Sequence, residues 1–349
     1  MNHPHSHSVF RVHGGADSFG PVRFDFSSNA NSTGPNPFVV DLIKQTDLIQ
    51  YPDPNYTELR QSLANMHAVD VNRILIAGSA SEFIFRITSF VSQRSSSFNQ
   101  DDVDNKNASV WLPAHAYGDY ASASLAWGLN QTQLLHEAAL VWLCEPSSPL
   151  GQPVTHLDNL VDSLSTHQIA VLDCAYEPLR LSGKLQLNQH QLNRLWQMWT
   201  PNKALGLTGV RGAYVIAPLN AEHVVQGLIA IAPSWLVGAE GVTMLKAWTR
   251  PEVQNWVGDS LMTLRRWKTE QIALCNEIGF KTEESVSNFF CVSHPSHKPA
   301  EYLSVVRRFD VKLRDAASFG LPDHVRMAVL SPQAQQQFRE AMMHVVRSV

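Results

Sequence analysis

Short apolar segments, each followed by small or polar residues, recur along the first two thirds of the chain. Three of them are residues 109–112, 140–144 and 169–173, with helical or loop-like spacers between them. This alternation is typical of an α/β fold, in which helices wrap a mostly parallel sheet. In such sheets ligands bind at the carboxyl ends of the strands. The residues that follow each apolar segment are therefore the first candidates for a functional site.

A single lysine and an arginine bracket a glycine-rich turn between two further strand-like segments. Lys203 begins the turn, Arg211 follows it, and the segments 195–200 and 213–217 lie on either side. A lysine presented from a tight loop can form a Schiff base with a carbonyl cofactor. The arginine could hold an anionic group of the same cofactor. For these two residues alone, an exposed surface turn is the simpler interpretation.

Two other strand ends fit an anionic or cationic ligand. The apolar segment 73–77 runs through the small residues of 78–82 into an apolar helix, expected over 83–91. Such a turn offers backbone N–H groups to a phosphate, although any parallel α/β unit has turns of this kind. Asp173 follows four apolar residues, so its carboxylate needs a cationic partner when buried. A protonated ring nitrogen, a structural salt bridge and a helix cap all remain open for it.

The chain from about residue 246 onward predicts a smaller α+β domain. A long amphipathic helix is expected first, from about 251 to 278. The strands and the closing helix that follow are expected at 289–292, 311–314, 324–329 and from Ser331-Pro332 to the C-terminus. Arg314 and Arg326 lie in two of these apolar strands, where an unpaired charge is unfavourable. They could meet an anionic substrate or form a buried ion pair.

Several shorter segments have local signatures. Thr57 is expected to cap a helix over 58–66, and the polar run 92–109 is expected to be a surface loop. Segment 1–8 carries three alternating histidines, which predict a mobile polar tail, with metal binding as the alternative. Residues 13–35 are rich in Gly, Asn, Ser and Pro and predict a structured arm or loop.

Composition excludes several classes of protein. The chain has 349 residues, 44% hydrophobic and 17% charged, which is typical of a globular protein with one large and one smaller domain. A net charge of −4 gives no reason to expect a nucleic-acid or anionic membrane partner. Without a membrane-length apolar run or a signal peptide, a cytoplasmic protein is expected. The cysteines lack CxxC spacing, so buried free thiols are expected and no metal site.

The ordered set of motifs resembles the fold-type I pyridoxal-phosphate (PLP) enzymes of the class I/II aminotransferase superfamily. Five motifs carry this resemblance, at residues 78–82, 117–120, 146–151, 173–176 and 202–211. The opening, at 13–15, 24–31 and 51–60, is similar to the arm and tyrosine-containing turn of the histidinol-phosphate aminotransferase branch. Within that branch it resembles the threonine-phosphate decarboxylases of cobalamin biosynthesis.

The resemblance implies an aspartate aminotransferase-like fold. Residues 1–45 would form the tail and arm, 46–245 a large PLP-binding domain with a mostly parallel sheet, and 246–349 a small α+β domain. The similarity runs from about His13 almost to the C-terminus.

The resemblance also implies a role at the cofactor for each matched residue. Lys203 would hold PLP as a Schiff base and later move protons, while Asp173 would pair with the pyridinium nitrogen. Tyr176 would donate to the phenolate oxygen, and Tyr117 would stack on the ring. Phosphate contacts are implied for Ala80, Ser81, Thr200 and Arg211. Tyr51 would reach the phosphate in a neighbouring subunit, which implies a homodimer with shared active sites.

A small phosphorylated amino acid is the implied substrate. Arg326 would bind its carboxylate, Arg314 and His13 would hold its phosphate, and Asn31 would lie close by. Three positions depart from the family pattern. Ser148 stands where an asparagine usually lies beside the phenolate oxygen, Asn202 where Ser or Thr often precedes the lysine, and Leu330 where the decarboxylases carry a further arginine.

The same residues serve two reactions, which differ in the bond held perpendicular to the cofactor ring. A decarboxylase places Cα–COO⁻ there, whereas an aminotransferase places Cα–H there and uses Lys203 as the base. We expect decarboxylation of L-threonine O-3-phosphate to (R)-1-amino-2-propanol phosphate in cobalamin biosynthesis. The alternative is transamination of histidinol phosphate or a related amino acid. A catalytically idle PLP-binding domain is a third hypothesis, which the presence of Lys203 and Asp173 disfavours.

Overall fold

The computed structural model describes residues 13–98 and 108–348, without the side chains of 95–98 and 346–348. The histidine-rich segment 1–8 and residues 99–107 of the polar run 92–109 lie outside the described residues. The strands are β1 (Phe24–Asp25), β2 (Ile74–Ala77), β3 (Ser109–Trp111), β4 (Asn130–Gln131), β5 (Leu140–Cys144), β6 (Ile169–Asp173), β7 (Trp196–Trp199), β8 (Ala213–Ile216), β9 (Lys281–Thr282), β10 (Phe289–Ser293), β11 (Val311–Lys312), β12 (Arg314–Asp315) and β13 (His324–Ala328).

A sheet of seven strands, in the order β2-β8-β7-β6-β5-β3-β4, forms the centre of the larger part of the molecule. The strands from β7 to β4 pair in parallel, and β8 runs antiparallel to both of its neighbours. All residues of β5 and β6 are buried, as expected for parallel strands covered on both faces. The prediction of a mostly parallel α/β sheet is therefore confirmed.

Helices cover both faces of this sheet. The helices of the described residues are α1 (Pro37–Lys44), α2 (Thr57–His67), α3 (Ala80–Phe98), α4 (Gly118–Ala126), α5 (Leu157–Ser163), α6 (Gln189–Leu192), α7 (Glu222–Ala230), α8 (Ala239–Trp248), α9 (Pro251–Glu277), α10 (Pro299–Arg307) and α11 (Pro332–Ser348). The last two, α10 and α11, pack against each other and against β11, away from this sheet. Successive residues of β2 enter different hydrophobic cores, Leu75 the one with α3 and Ile76 the one that continues under α8 and α9. This alternation follows from the two-residue period of a strand.

The second, smaller sheet is antiparallel, in the order β12-β13-β10-β9. The helices α9 and α11 match the predictions made for them. The single strand predicted over 311–314 is wrong, because the chain changes sheets there. Val311–Lys312 pairs in parallel with β1 of the N-terminal arm, whereas Arg314–Asp315 pairs with β13. Leu313, between the two strands, is buried.

Two local predictions were also wrong. Thr57 is the first residue of α2 and does not cap it with its side chain; Asp53 Oδ2 instead accepts the backbone N–H of Thr57 at 2.7 Å. The helix predicted over 83–91 begins at Ala80 and continues to Phe98, so the polar run does not start as a loop. Ser92 Oγ donates to Trp127 O at 2.7 Å, a contact across the chain that local propensity could not indicate.

The cysteines are all buried and free, as predicted, at Cys144, Cys174, Cys275 and Cys291. No helix within the described ranges combines the length and the apolar character needed to cross a membrane. The domain limits after residues 45 and 245 remain a prediction.

Candidate active site

A cavity of about 820 Å³ opens where the parallel strands of the large sheet end, against the smaller, antiparallel sheet. Residues at or just after the ends of β3, β5, β6 and β7 line it, together with the arm and the strands β12 and β13. This is the position expected for a ligand site in an α/β sheet. Its lining divides into an acidic centre, a group of hydrogen-bond donors and a cationic end.

Asp173 forms the acidic centre at the end of β6, where it is 5% exposed. Its Oδ2 accepts the Tyr120 hydroxyl at 2.6 Å, and its Oδ1 accepts the Ala175 backbone N–H at 2.9 Å. Burial raises the pKa of Asp173, while the Tyr120 hydrogen bond and the charge of Lys203 oppose this. Among the described residues, Asp173 has no basic side chain as an ion-pair partner. A cationic ligand in the cavity would meet this need.

Lys203 lies in the turn between β7 and β8, as predicted, and it is half-buried at the cavity wall. Its Nζ is 5.4 Å from the centre of the Tyr176 ring. Its carbonyl oxygen accepts the backbone N–H of Asn31 at 2.8 Å, which fastens the turn to the arm. The interpretation as an exposed surface turn is therefore wrong. The lysine is placed where a carbonyl ligand beside Tyr176 could react with it.

Tyr176 and Tyr117 form the aromatic walls. The Tyr176 hydroxyl accepts Asn29 Nδ2 at 3.3 Å, and the Tyr176 ring meets Phe289 edge-on at 4.6 Å. The Tyr117 hydroxyl lies 3.2 Å from Ser81 Oγ, and burial raises the pKa of Tyr117 to about 12. The Tyr117 hydroxyl therefore remains protonated near neutral pH and can donate a hydrogen bond.

Only part of the phosphate-type turn is available to an anion, because the N–H of Gly78 already donates to Glu82 Oε2 and that of Glu82 to Ser79 Oγ. The helix α3 begins at Ala80, so the first N–H groups of the helix face the cavity region lined by Ala80 and Ser81. Thr200 Oγ1 is buried without a hydrogen-bond partner among the described residues. Arg211 is exposed at the cavity edge. An orphaned hydroxyl, a helix N-terminus and an arginine together fit a phosphate group.

Asn202, one of the positions that depart from the family pattern, also carries a buried polar atom without a hydrogen-bond partner among the described residues. Asn202 Nδ2 donates to Val210 O at 3.3 Å, while its buried Oδ1 has no partner in the described part of the chain. Ser148 also lines the cavity and is 6% exposed, but the contact that it makes there stays a prediction.

Two arginines form the cationic end. Arg314 and Arg326 are directly opposite each other on β12 and β13, and their guanidinium carbons lie 4.8 Å and 5.5 Å from the centre of the Phe319 ring. Burial, and next the charge of Arg326, lower the pKa of Arg314 to about 10. Two cations that approach this closely disfavour each other unless an anion lies between them.

Arg326 has hydrogen-bonding capacity to spare. Its Nη2 donates to the carbonyl of Ser27 at 3.0 Å, and its buried Nε has no hydrogen-bond partner in the part of the chain that the structure describes. No carboxylate among the described side chains forms an ion pair with it. The alternative of a buried ion pair is thus wrong for Arg326. His13 lines the same end, with its ring 6.2 Å from that of Tyr117.

Asn31 is not among the residues that line the cavity, and the expectation that it lies close to the substrate stays a prediction. Its Nδ2 donates to Ala204 O at 3.0 Å and to Ser260 Oγ at 2.7 Å, and its Oδ1 accepts from Thr33. These bonds direct the side-chain amide of Asn31 into the protein interior, away from the cavity. Asn31 therefore supports the backbone of the Lys203 turn. Asn29, two residues earlier, lies at the cavity instead.

Tyr51 is 77% exposed and lies away from the cavity of its own chain. Its ring stacks on Trp235 at 4.4 Å. The expectation that it reaches a neighbouring subunit stays a prediction.

Sequence reasoning missed four residues of the site. Tyr120 could have been found, because it stands one helical turn after Tyr117 in the same motif. Asn29 was within the arm motif but was assigned no role. Ser318, whose Oγ accepts Arg314 Nη2 at 2.7 Å, and Phe319 follow β12 and have no local signal.

Comparison with known proteins adds four similarities. The family described as aminotransferase class I and II matches residues 22–342. A histidinol-phosphate aminotransferase of Nitrobacter hamburgensis is 23% identical over 342 residues, covering 90% of this chain and 88% of that protein. L-threonine-O-3-phosphate decarboxylase from Porphyromonas gingivalis has a similar structure, with a TM-score of 0.76, 19% identity and coverage of 92% of this chain and 99% of that one.

A histidinol-phosphate aminotransferase from Sinorhizobium meliloti, solved in complex with pyridoxal-5'-phosphate, gives a TM-score of 0.78 at 18% identity. The similarity covers 95% of this chain and 92% of the Sinorhizobium meliloti protein. At these identities the structural similarities establish the fold.

Proposed function

The chain belongs to the class I and II aminotransferase family, whose cofactor is pyridoxal 5'-phosphate, and from this premise we propose that it decarboxylates L-threonine O-3-phosphate. The product is (R)-1-amino-2-propanol phosphate, which is used in cobalamin biosynthesis. The observation that carries the proposal is the facing pair Arg314 and Arg326. A substrate with both a carboxylate and a phosphate supplies an anion for each guanidinium.

The cofactor end of the cavity fits PLP in charge and in hydrogen bonding. Lys203 Nζ is the amine for covalent attachment, and Asp173 is the buried carboxylate for the ring nitrogen. Tyr176 is the donor to the ring oxygen, and Tyr117 is the aromatic face. The phosphate is assigned to Ala80, Ser81, Thr200 and Arg211. When bound, PLP supplies an aldehyde that reacts with amines and a conjugated ring that accepts the electron pair of the bond broken at Cα.

Asp173 is suited to hold a proton on the ring nitrogen. Its carboxylate is oriented by Tyr120 and by the Ala175 backbone N–H, and burial strengthens its interaction with a cation. Tyr120 is itself packed on Trp142, with ring centres 4.4 Å apart. The carboxylate is therefore oriented before any ligand binds, which is the arrangement that stabilises charge during a reaction.

Lys203 Nζ is the group that moves protons at Cα. In decarboxylation it donates the proton that replaces the carboxylate, whereas in transamination it removes a proton from Cα. The two reactions therefore share this residue, and the anchoring of the substrate distinguishes them. We assign the carboxylate to Arg326, and the phosphate to Arg314 and His13.

A homodimer with shared sites is part of the proposal. Leu48, Ile49 and Tyr51 are exposed by 67%, 93% and 77%, next to the half-exposed Trp235. An apolar patch of this kind is typical of a surface that a second copy covers. If Tyr51 completes the partner's site, mixing Lys203→Ala subunits with Tyr51→Ala subunits restores about a quarter of the wild-type activity, since half of the random dimers hold one intact site. Mixed samples no more active than either variant alone would contradict shared sites.

Transamination of histidinol phosphate is the second candidate. Two proteins of similar sequence are named histidinol-phosphate aminotransferases, which supports this candidate. It also needs a phosphate site, and the second guanidinium would then bind the carboxylate of the amino-group donor or acceptor.

One experiment distinguishes the two candidates. The PLP-loaded enzyme is incubated with L-threonine O-3-phosphate, and separately with histidinol phosphate plus 2-oxoglutarate, while CO₂ release and glutamate formation are measured. We expect CO₂ from threonine phosphate without any need for a keto acid. Glutamate formation that depends on the keto acid, together with no CO₂, would refute the decarboxylase proposal.

A further inference from the structure

The N-terminal arm segment 13–20 forms part of the wall at the substrate end of the cavity. His13, Gly14 and Gly15 line it. The fit at Gly14 is tight, because a Cβ there would lie 2.0 Å from the carbonyl oxygen of Ser27 and 3.5 Å from Arg326 Nη2. The position of this segment therefore decides the shape of the space beside Arg326.

Asp17 fastens the segment to the small domain through two cations. Arg307, the last residue of α10, holds both carboxylate oxygens, with Nη1–Oδ2 at 3.0 Å and Nη2–Oδ1 at 2.7 Å. Lys312 Nζ, on β11, lies 2.6 Å from Oδ2. The side chains of Arg307 and Lys312 are only 22% and 13% exposed. One carboxylate thus neutralises two partly buried positive charges.

The same two cations also hold the backbone on either side of Asp17. Lys312 Nζ donates to the carbonyl of Gly15, and Arg307 Nη2 donates to that of Gly20 at 2.8 Å. Without the carboxylate, the two cations would repel each other and lose the geometry in which they make these bonds. The Asp17 carboxylate therefore keeps both cations in the positions from which they hold the segment.

A short series of hydrogen bonds connects the segment to the substrate-binding arginine. The backbone N–H of Gly15 donates to Ser27 Oγ at 2.9 Å, and the carbonyl of Ser27 accepts Arg326 Nη2 at 3.0 Å. Ser27 is fully buried and also donates to Asp25 Oδ1 at 2.5 Å. A displacement of the segment would therefore remove the wall formed by His13 and Gly14 and one support of Ser27.

We propose that Asp17 is a positioning residue that holds segment 13–20 across the substrate end of the cavity, so that His13 and Gly14 shape the site around Arg326. The proposal rests on the proposed function only for the identity of the substrate. The effect is local, because the arm has a second attachment. Asp25 of β1 pairs with Lys312 of β11, so the arm beyond residue 23 stays in place when Asp17 is changed.

The test compares Asp17→Asn, which removes the charge, with Asp17→Glu, which keeps it. Glu277→Gln is the matched control, since Glu277 binds both Nη atoms of Arg339 at 2.6 Å on the surface of the small domain, outside the cavity lining. Hydrogen exchange of the PLP-loaded enzyme without substrate reports the segment directly. Steady-state kinetics with threonine phosphate then separates KM from kcat.

We expect the hydrogen-bonded backbone amides of Gly15 and Gly20 to exchange at least about tenfold faster in Asp17→Asn, as a segment that opens locally. KM is expected to rise about three- to tenfold, with kcat and PLP content within about twofold of wild type, because the cofactor end is unaffected. Asp17→Glu restores much of the protection and of KM. Glu277→Gln changes neither.

Unchanged exchange in Asp17→Asn, or an equal change in Glu277→Gln, would overturn the proposal. So would a fall in kcat and PLP content with no change in KM, which indicates general destabilisation. If threonine phosphate is not turned over by the wild-type enzyme, the proposed function fails, but the exchange measurement still decides the role of Asp17. The two failures are therefore distinguishable.

Discussion

The two ends of the cavity are built in different ways. The cofactor end consists of residues at the ends of strands of one mostly parallel sheet: Asp173 is the last residue of β6, Thr200 directly follows β7, and Lys203 lies three residues further along the same turn. The substrate end is assembled from the N-terminal arm, β12, β13 and the turn that carries Phe319. Its parts are distant in the chain, as Asp17 and Arg307 illustrate with a separation of 290 residues.

This difference has a chemical consequence. The cofactor end must keep one arrangement for every member of a family that uses the same cofactor, and the rigid ends of buried strands provide it. The substrate end must fit one particular amino acid, and the arm and short strands can change without disturbing the large sheet. Changes at the two ends should therefore affect different kinetic constants.

The largest effect is expected at the cofactor end, from Lys203→Ala. Loss of the amine removes both covalent attachment and the proton donor at Cα, so kcat should fall by about a thousandfold or more. Turnover and the visible absorbance of bound PLP are the measurements. Lys184→Ala, at an exposed lysine, is the control and should behave as wild type. If borohydride still linked PLP covalently to the Lys203→Ala variant, the assignment of Lys203 would be wrong.

Asp173→Asn should be next in size. The amide can keep a hydrogen bond but cannot hold the ring nitrogen protonated, so kcat should fall about a hundredfold or more. Tyr120→Phe removes only the hydroxyl that orients the carboxylate and should cost about tenfold. Both are measured on variants whose PLP content has been checked. Equal losses in the two variants would contradict a direct role for Asp173 and indicate that both residues merely support the fold.

At the substrate end, Arg326→Gln should raise KM about a hundredfold while PLP affinity stays near that of wild type, because a charge-assisted contact to substrate is lost. Arg326→Lys keeps the charge without the guanidinium geometry and should raise KM about tenfold. Arg339→Gln, whose arginine pairs with Glu277 on the surface, serves as the control. Reduced PLP binding with an unchanged KM would show that the two ends are not separable in this way.

The smallest effect concerns stability beneath the Lys203 turn. His67 Nε2 lies 2.7 Å from the Tyr214 hydroxyl, and its ring packs 5.2 Å from that of Trp199. Burial lowers the pKa of His67 from 6.5 to about 4. The contribution of the neutral imidazole is therefore fully present above pH 6.5 and is lost as the pH falls toward 4, because the unfolded chain binds the proton first.

Replacing His67 by Gln removes this titration and can keep a hydrogen-bond acceptor for Tyr214. Relative to that variant, wild type should lose about 2 kcal/mol of unfolding free energy between pH 7 and pH 5. Urea unfolding at both pH values measures it. Parallel stability profiles for the two proteins would mean that His67 is not held neutral in the fold.

Much of the cofactor end could be predicted from the sequence because the chain itself carries the spacing. An apolar strand followed by a polar residue places that residue at the strand's carboxyl end whatever lies around it, as at Asp173. Lys203 is placed at the same edge of the sheet, because the turn that carries it follows the carboxyl end of β7. Prediction failed at two helix limits, at the end of α3, where Ser92 contacts the distant Trp127, and at the start of α2, where the Asp53 carboxylate and not the Thr57 side chain accepts a backbone N–H.

The substrate end was predicted only as a list of residue types. Arg314 and Arg326 were candidates, but their pairing required the chain to change sheets at Leu313, and no local pattern indicates that change. Asn31 and Asn29 stand two residues apart in one polar segment, and only the surrounding packing turns one toward the protein and the other toward the cavity.

The sequence by itself determined the fold class, the family, and the lysine and aspartate of the cofactor end, since strand–turn patterns and motifs are properties of neighbouring residues. Only the tertiary structure decided that two arginines share Phe319, that Tyr120 orients Asp173, and that Asp17 fastens the arm. These contacts depend on register and burial. Both arise only when distant segments pack against each other and exclude water.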